Sequence, residues 1–313
     1  MTMQPSIIFM GTPDFAVPTL KALHASAFHV DLVVTQPDRP KGRGRRLTPP
    51  PVKVAAQQMG YEILQPDAIR HPDCISHLTS IAPDYLVVVA FGQILPRSIL
   101  EIPKRGAVNV HASLLPRFRG PAPIQWAIIR GETETGITTM LMDQGVDTGD
   151  MLLKAHTPIH AEDTAESLHD RLAKMGAELL IQTLEGLRQG SVFPHMQNNA
   201  KATYAPMLKK EDGRLDWRKT ATYLNALVRA MTPWPGAFCF LEGKRMRIYK
   251  TDFLTESCKA QPGTVLPGFP DELRVATGDG MLLIREVQSP SGKRLPIKDF
   301  LHGHPLSPGR RLE

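Results

Sequence analysis

Asn109, His111 and Asp147 are the residues from which chemistry can first be read in this chain. Asn109 and His111 stand two apart at the end of an apolar stretch, 107–111, so a short strand there would present both side chains on one face at its carboxyl edge. Asp147 lies in the glycine-flanked segment Asp143-Gln-Gly-Val-Asp147-Thr-Gly149. An amide that donates without changing charge, an imidazole that titrates near neutrality and a carboxylate that orients it together suit the transfer of an acyl group to an amine. A lone histidine is more often a hydrogen-bonded core residue, and Asn109 and Asp147 could equally be turn formers. His111 is set apart by the apolar stretch before it, the Pro- and Gly-punctuated loop 113–120 after it, and the nearby carboxylate.

The elements that must position these groups follow from apolar patterning. The first half alternates strand and helix signals, the pattern of a mostly parallel sheet covered on both faces. Strands are expected at 6–10, 30–35, 85–91 and 107–111, with paired strands at 137–142 and 151–155. Helices are expected at 14–25, with Thr12 as N-cap, and at 52–59 and 124–130. A long amphipathic helix is expected over 164–188, where Leu168, Leu172, Met175, Leu179 and Leu180 fall at three- and four-residue spacing. Residues 191–209 turn irregular and polar and read as a linker. Beyond it come a helix at 220–231 and short strands at 237–241, 245–252, 263–266, 273–277 and 281–287, which suit a small OB-like β-barrel.

Composition narrows the class. At 313 residues the chain has length for about two domains, and 42% hydrophobic content without low-complexity tracts indicates a folded protein. No apolar stretch approaches the roughly 20 residues that span a bilayer, so no membrane partner is expected. Ile7-Ile-Phe-Met10 stops at Gly11 and reads as a strand, not as the core of a signal peptide. Cys74, Cys239 and Cys258 are scattered, which argues against a disulfide framework or a zinc site and fits a reducing cytoplasm. Residues 1–208 carry 19 basic and 19 acidic side chains, whereas residues 209–313 carry 18 and 12, so the net charge of +6 comes from the carboxyl-terminal third. The first part has one basic exception: Arg39, Lys41, Arg43, Arg45, Arg46 and Lys53 are opposed there only by Asp38. A neutral catalytic body with a basic loop and a basic appended domain is laid out for a polyanion. No heptad pattern or large apolar edge calls for a dimer, so a monomer is expected.

The string Val108-Asn-Val-His-Ala-Ser-Leu-Leu-Pro-Arg-Phe-Arg-Gly120 resembles the signature of the folate-dependent formyltransferases. Flanking segments extend the likeness to the members that act on methionyl-tRNA: Phe9-Met-Gly-Thr-Pro-Asp-Phe-Ala16, Thr35-Gln-Pro-Asp-Arg-Pro-Lys-Gly-Arg-Gly44, Pro121-Ala-Pro-Ile-Gln125 and Gly136-Ile-Thr-Thr-Met140. The resemblance implies a Rossmann-like α/β formyltransferase domain, 1–190, a linker, 191–209, and an OB-like tRNA-binding domain, 210–313. It implies transfer of a formyl group from 10-formyltetrahydrofolate to the α-amine of methionyl initiator tRNA, with no metal. Asn109, His111 and Asp147 would be the catalytic set. Ser113, Leu114, Leu115 and Pro116 would line the folate site, with Phe91, Gly92 and Ile94 near the pterin and the loop from Asp143 closing beside it. Lys41, Arg43, Arg45 and Arg46, in a segment whose glycines disfavour secondary structure, would meet tRNA.

Two enzyme alternatives and one binding alternative compete. A formyl-transfer domain could serve glycinamide ribonucleotide or an amino sugar, but a small acceptor needs neither the basic loop nor the basic domain. A dinucleotide-binding oxidoreductase would need glycines that Gly11-Thr-Pro-Asp-Phe-Ala16 lacks. An intact trio speaks against a purely RNA-binding role.

Overall fold

The computed structural model describes residues 4–41, 44 and 46–313, apart from the side chain of Lys41. In chain order its first elements are β1 (Ser6–Gly11), α1 (Val17–His24), β2 (His29–Val34), β3 (Arg39–Lys41), β4 (Arg46–Thr48), α2 (Pro51–Gln58), β5 (Ile63–Leu64), α3 (Pro72–Ile81), β6 (Tyr85–Val89), α4 (Arg97–Leu100) and β7 (Ala107–His111). There follow α5 (Pro123–Ile129), β8 (Glu134–Leu141), β9 (Met151–Pro158), α6 (Ala165–Gln189) and α7 (Ala221–Ala230). The last are β10 (Ala237–Leu241), β11 (Lys244–Leu254), β12 (Val265–Leu266), β13 (Leu273–Ala276), β14 (Met281–Gln288), β15 (Arg294–Pro296) and α8 (Ile297–Gly303).

Two units divide the chain. The first takes residues up to Gly120, then Thr135–Thr157 and His169–Tyr204; the second takes Pro121–Glu134, Pro158–Leu168 and Ala205–Glu313. Seven strands in the order β5-β2-β1-β6-β7-β8-β9 form the sheet of the first unit. The β5–β2, β2–β1, β1–β6 and β6–β7 pairs are parallel, and β8 runs antiparallel to β7. Tyr85–Val89 and Ala107–His111 are buried along their whole length, as strands covered on both faces must be. Ile8, Met10, Leu32, Val34, Leu86, Val88 and Phe91 share one side-chain cluster there.

The chain leaves β1 outward through β2 and β5, then returns to the other flank of β1 to lay down β6 and β7. That reversal places a topological switch between β1 and β6, and ligands of open parallel sheets bind at the carboxyl ends of the strands at such a point. Gly11 pairs with Val89 and Val88 with Asn109, so the segments after β1, β6 and β7 all leave along one edge.

Several elements differ from the sequence reading, each for a local reason. Residues 14–25 are not one helix. A 3-10 turn, Asp14–Ala16, precedes α1, because Pro18 has no N–H to continue an α-helical ladder back to Asp14. Thr12 does not cap it either, since its hydroxyl donates across the sheet edge to the Phe91 carbonyl at 2.7 Å. The basic segment is flanked by structure that its glycines disfavour: β3 and β4 pair antiparallel, with Arg39 opposite Thr48 and Lys41 opposite Arg46. Helix α3 has no counterpart in the sequence reading, because Leu78 is its one fully buried residue and leaves little periodicity to detect.

In the second unit, β10-β11-β14-β13-β12 form an antiparallel sheet and β15 also pairs with β14. Strand β11 follows one edge of β14 from Met281 to Gln288, and β13 and β15 share the other, which gives the curled, OB-like half-barrel. Helix α7 is capped by Thr220, whose hydroxyl accepts from the Tyr223 N–H at 3.2 Å, and it packs on β11 and on α5. No helix among the described residues is long and apolar enough to cross a membrane.

Candidate active site

Strand β7 carries Asn109 and His111 on one face, as period-two alternation requires, and both are buried. Val110, between them, faces α6 at Gly176; a Cβ on that glycine would come within 2.9 Å of Val110 Cγ1. Helix α6 therefore backs the strand closely and sets the depth of the face that carries Asn109 and His111.

His111 is held at both ends of its ring. Its Nε2 lies 2.9 Å from the Phe118 carbonyl, which can only accept, so Nε2 bears the hydrogen. Its Nδ1 faces Asp147 Oδ1 at 3.6 Å. Asn109 Nδ2 points at the same oxygen from 3.5 Å. The other carboxylate oxygen of Asp147 accepts from the Gly120 N–H at 2.8 Å. An amide, an imidazole nitrogen and a carboxylate thus surround one point at separations longer than tight hydrogen bonds, as expected of a site that closes around a reacting group.

The loops that supply these partners are bent into unusual conformations. Phe118 and Asp147 have φ of +58° and +53°, a region that costs a non-glycine residue about 1–3 kcal/mol unless neighbours hold it. Asp143 Oδ1 closes the second loop by accepting from Gly145 N at 3.0 Å and Thr148 Oγ1 at 2.6 Å. Gly149 is required there, because a Cβ would overlap the Leu141 carbonyl.

Of the residues expected around folate, Ser113 and Leu115 are fully buried and spend their polar atoms inside the protein. The Ser113 hydroxyl donates to the Arg117 carbonyl, and Thr138 Oγ1 joins the Ser113 carbonyl to the Leu115 N–H. These two shape the loop, while Leu114 and Pro116 are partly exposed. Phe91 sits in the core, Gly92 takes φ +87°, and Ile94 is 86% exposed, an apolar side chain with no intramolecular use for its exposure. Gln93 anchors that loop by accepting from Ile69 N at 2.8 Å.

At the switch point a cleft of 1020 Å³ opens, lined among others by Thr12, Gln36, Arg39, Phe91 and Gly92. Thr12 and Gln36 both donate to the Phe91 carbonyl, which fixes the floor between β1 and β6. Thr48, at the end of the hairpin, also lines the cleft. Of the expected tRNA-binding residues, Arg46 is described and exposed on β4. Arg43, Arg45 and the Lys41 side chain lie outside the described residues. Lys53 is tied to Asp38 at 2.8 Å; a hydrogen bond from Gln65 and this ammonium hold the Asp38 carboxyl below the usual carboxylate range. Among the described residues no group of three or more His, Cys, Asp or Glu could hold a metal ion. Burial pushes the Cys239 thiol up to about 12, which keeps it unreactive.

Two polar residues of this region are assigned no role in the sequence reading, although Arg119 falls inside the signature string that ends at Gly120. Arg119 and Gln197 are 2% and 5% exposed and bonded to each other beside the Asp147 loop. Their separation of 78 positions follows no periodicity, and Gln197 falls in the stretch that reads as a linker.

Comparison with known proteins gives a consistent picture. Residues 5–184 match the formyl transferase family and residues 207–305 its C-terminal domain family. Curated relatives named methionyl-tRNA formyltransferase include those of Citrifermentans bemidjiense, 53% identical over 306 residues that cover 98% of this chain and 96% of the relative. Another is that of Geobacter metallireducens, 53% identical over 307 residues and 98% of both chains. Among solved structures, the sugar 3N-formyl transferase WlaRD, crystallised with dTDP and 5-N-formyl-THF, superposes with a TM-score of 0.68 at 19% identity, covering 93% of this chain and 100% of its own. HypX from Aquifex aeolicus superposes with a TM-score of 0.63 at 19% identity; 96% of this chain is covered, and it spans 48% of HypX. At such identities the structures speak to the fold.

Proposed function

This chain belongs to the formyl transferase family and formylates the amine of methionyl initiator tRNA; we propose that its donor is 10-formyltetrahydrofolate and that Asn109, His111 and Asp147 carry the transfer. The observation that carries this reading is the convergence of Asn109 Nδ2 and His111 Nδ1 on Asp147 Oδ1, at 3.5 and 3.6 Å, beside the cleft edge of the sheet.

In the reaction the α-amine nitrogen forms a bond to the formyl carbon, the bond from that carbon to folate N10 breaks, and one proton passes from the amine to N10. Free α-amines titrate near 8, so an appreciable fraction, roughly a fifth, of the nucleophile is neutral at physiological pH and needs little activation. The barrier lies in the charge that develops on the formyl oxygen. Asn109 donates to that oxygen through its amide N–H. His111 exchanges a proton through Nδ1, since the Phe118 carbonyl occupies Nε2. Asp147 receives the amine proton, directly or through water, and orients the imidazole that passes one to N10.

The folate is placed against the exposed Ile94 and the partly exposed Leu114 and Pro116, an apolar wall suited to a flat ring. Phe91 and Gly92, expected near the pterin, line the cleft at the β1–β6 switch, and the aminoacylated tRNA end would approach from its hairpin side, where Arg39 and Thr48 line it. Arg46, with Lys41, Arg43 and Arg45 of the same segment, would face the phosphates, and the basic second unit would add sequence-independent affinity. The site is reached by soluble substrates and the protein acts as a monomer in the cytoplasm. Incubation with 10-formyltetrahydrofolate and each candidate acceptor tests this reading. Formyl-methionyl-tRNA should accumulate, and formylation of an amino sugar nucleotide or glycinamide ribonucleotide in preference to the tRNA would overturn it.

A further inference from the structure

Asp147 does not hold its own conformation. Its φ of +53° is disfavoured for a residue with a Cβ, and Val146 and Thr148 around it are at least partly exposed. Beside the Asp143 bonds within the loop, a buried amide from a distant part of the chain restrains its backbone. Gln197 Nε2 donates to the Asp147 carbonyl at 2.8 Å and to the Gly149 carbonyl at 2.7 Å. That uses both of its N–H bonds, and its orientation is fixed in turn, because Gln197 Oε1 accepts from Arg119 Nε at 3.1 Å and Nη2 at 2.8 Å. Arg119 Nη2 is shared with Asn199 Oδ1 at 2.7 Å. An amide flipped end for end would set N–H against guanidinium and oxygen against two carbonyls, so one orientation alone satisfies every atom.

The same guanidinium grows from the loop that carries the other site contacts. Phe118, whose carbonyl fixes His111, precedes it, and Gly120, whose N–H fixes Asp147 Oδ2, follows it. Arg119 N–H donates to the Thr203 carbonyl at 2.8 Å, and Thr203 Oγ1 accepts from Phe118 N at 2.9 Å. Among the described residues the Arg119 guanidinium bonds to neutral amide oxygens, and such a buried cation is costly to maintain. Its bonds reach toward the loop bearing the catalytic carboxylate, which gives that cost a use.

We propose that Arg119 and Gln197 are positioning residues for the transfer: they lock the Asp147 loop so that its carboxylate faces Asn109 and His111. This rests on the reading of Asp147 as part of the catalytic set. Both residues spend their side-chain hydrogen bonds within the protein, on the Asp147 loop, on Asn199 and on each other, so their effect falls on turnover.

The test is a double-mutant cycle read by formylation of methionyl initiator tRNA with 10-formyltetrahydrofolate, on full-length protein with thermal melts run alongside. Gln197→Ala lowers kcat by about 10- to 100-fold, the scale of a 1 Å misplacement, with KM for both substrates changed by less than about threefold. In an Asp147→Ala background the same substitution costs less than about threefold more, because the group it positions is gone. Gln197→Glu, isosteric and still able to accept from Arg119, removes the two donors to the loop and matches the kcat loss; it carries the comparison should the alanine variant fail to fold. Multiplicative losses in the cycle, a loss confined to KM, or full activity of Gln197→Glu would each overturn the proposal while leaving the catalytic set standing. Full activity of Asp147→Ala itself would instead remove the catalytic reading, and the positioning role with it.

Discussion

Because the Phe118 carbonyl can only accept, His111 Nε2 keeps its proton in both charge states of the ring, and proton exchange is left to Nδ1, the atom that faces Asp147. On the proposed reading, that single contact divides the labour of the trio. Replacing His111 with Ala should lower kcat by about 10²- to 10⁴-fold while leaving tRNA binding within a few-fold of normal, measured by single-turnover kinetics and filter binding. Undiminished turnover would remove His111 from the chemistry. Asp147→Asn keeps the acceptor for Gly120 N–H but replaces a proton-accepting oxygen with an amide. Its kcat should fall with little change in KM; a loss seen in KM alone would make Asp147 a binding residue. The sequence exposes this trio because Asn109 and His111 sit in register on an apolar stretch and Asp147 is bracketed by glycines. It hides the pairing of Arg119 with Gln197, because bonds between distant loops leave no periodicity, and because the buried guanidinium of the signature string reads in sequence like any surface cation.

At the scale of elements, the strands that matter are those with the strongest sequence signal. Tyr85–Val89 and Ala107–His111 are apolar enough to be placed from the sequence alone, and they pair in parallel. Elements that bury little, such as α3 with Leu78 and the two-residue β5, are invisible for the same physical reason. The loop after β7 depends on β8. Thr138 is fully buried, donates to the Ser113 carbonyl at 2.7 Å and accepts from Leu115 N at 3.1 Å. Thr138→Val conserves shape but strands both groups, so stability should fall by about 1–3 kcal/mol in denaturant titrations. An unchanged midpoint would mean that the loop has another anchor. The hairpin β3–β4 makes a different prediction: Arg46→Glu should weaken productive tRNA engagement and leave the KM for folate unchanged. If the folate KM alone rose, the hairpin would belong to the donor site.

Across the whole molecule, charge is distributed as function requires, with a balanced sequence through residue 208 and a basic excess after it. Ion pairs such as Arg274–Glu272, Arg285–Asp252 and Arg294–Glu286 occupy some of the cations and leave that excess on the others. Lys244, Lys250 and Lys298 have no ion pair among the described residues and are exposed. Their joint replacement by Ala should reduce the slope of log affinity against log salt by about one for each phosphate no longer neutralised; an identical slope would direct tRNA elsewhere. The central claim, that one formyl carbon is held where Asn109, His111 and Asp147 converge, is tested most directly by a structure of the protein with a non-transferable 10-formyltetrahydrofolate analogue and methionyl-tRNA. The formyl oxygen should lie within about 3.2 Å of Asn109 Nδ2, with the α-amine on the Asp147 side. A formyl group bound away from that point, with the trio facing empty solvent, would contradict the account.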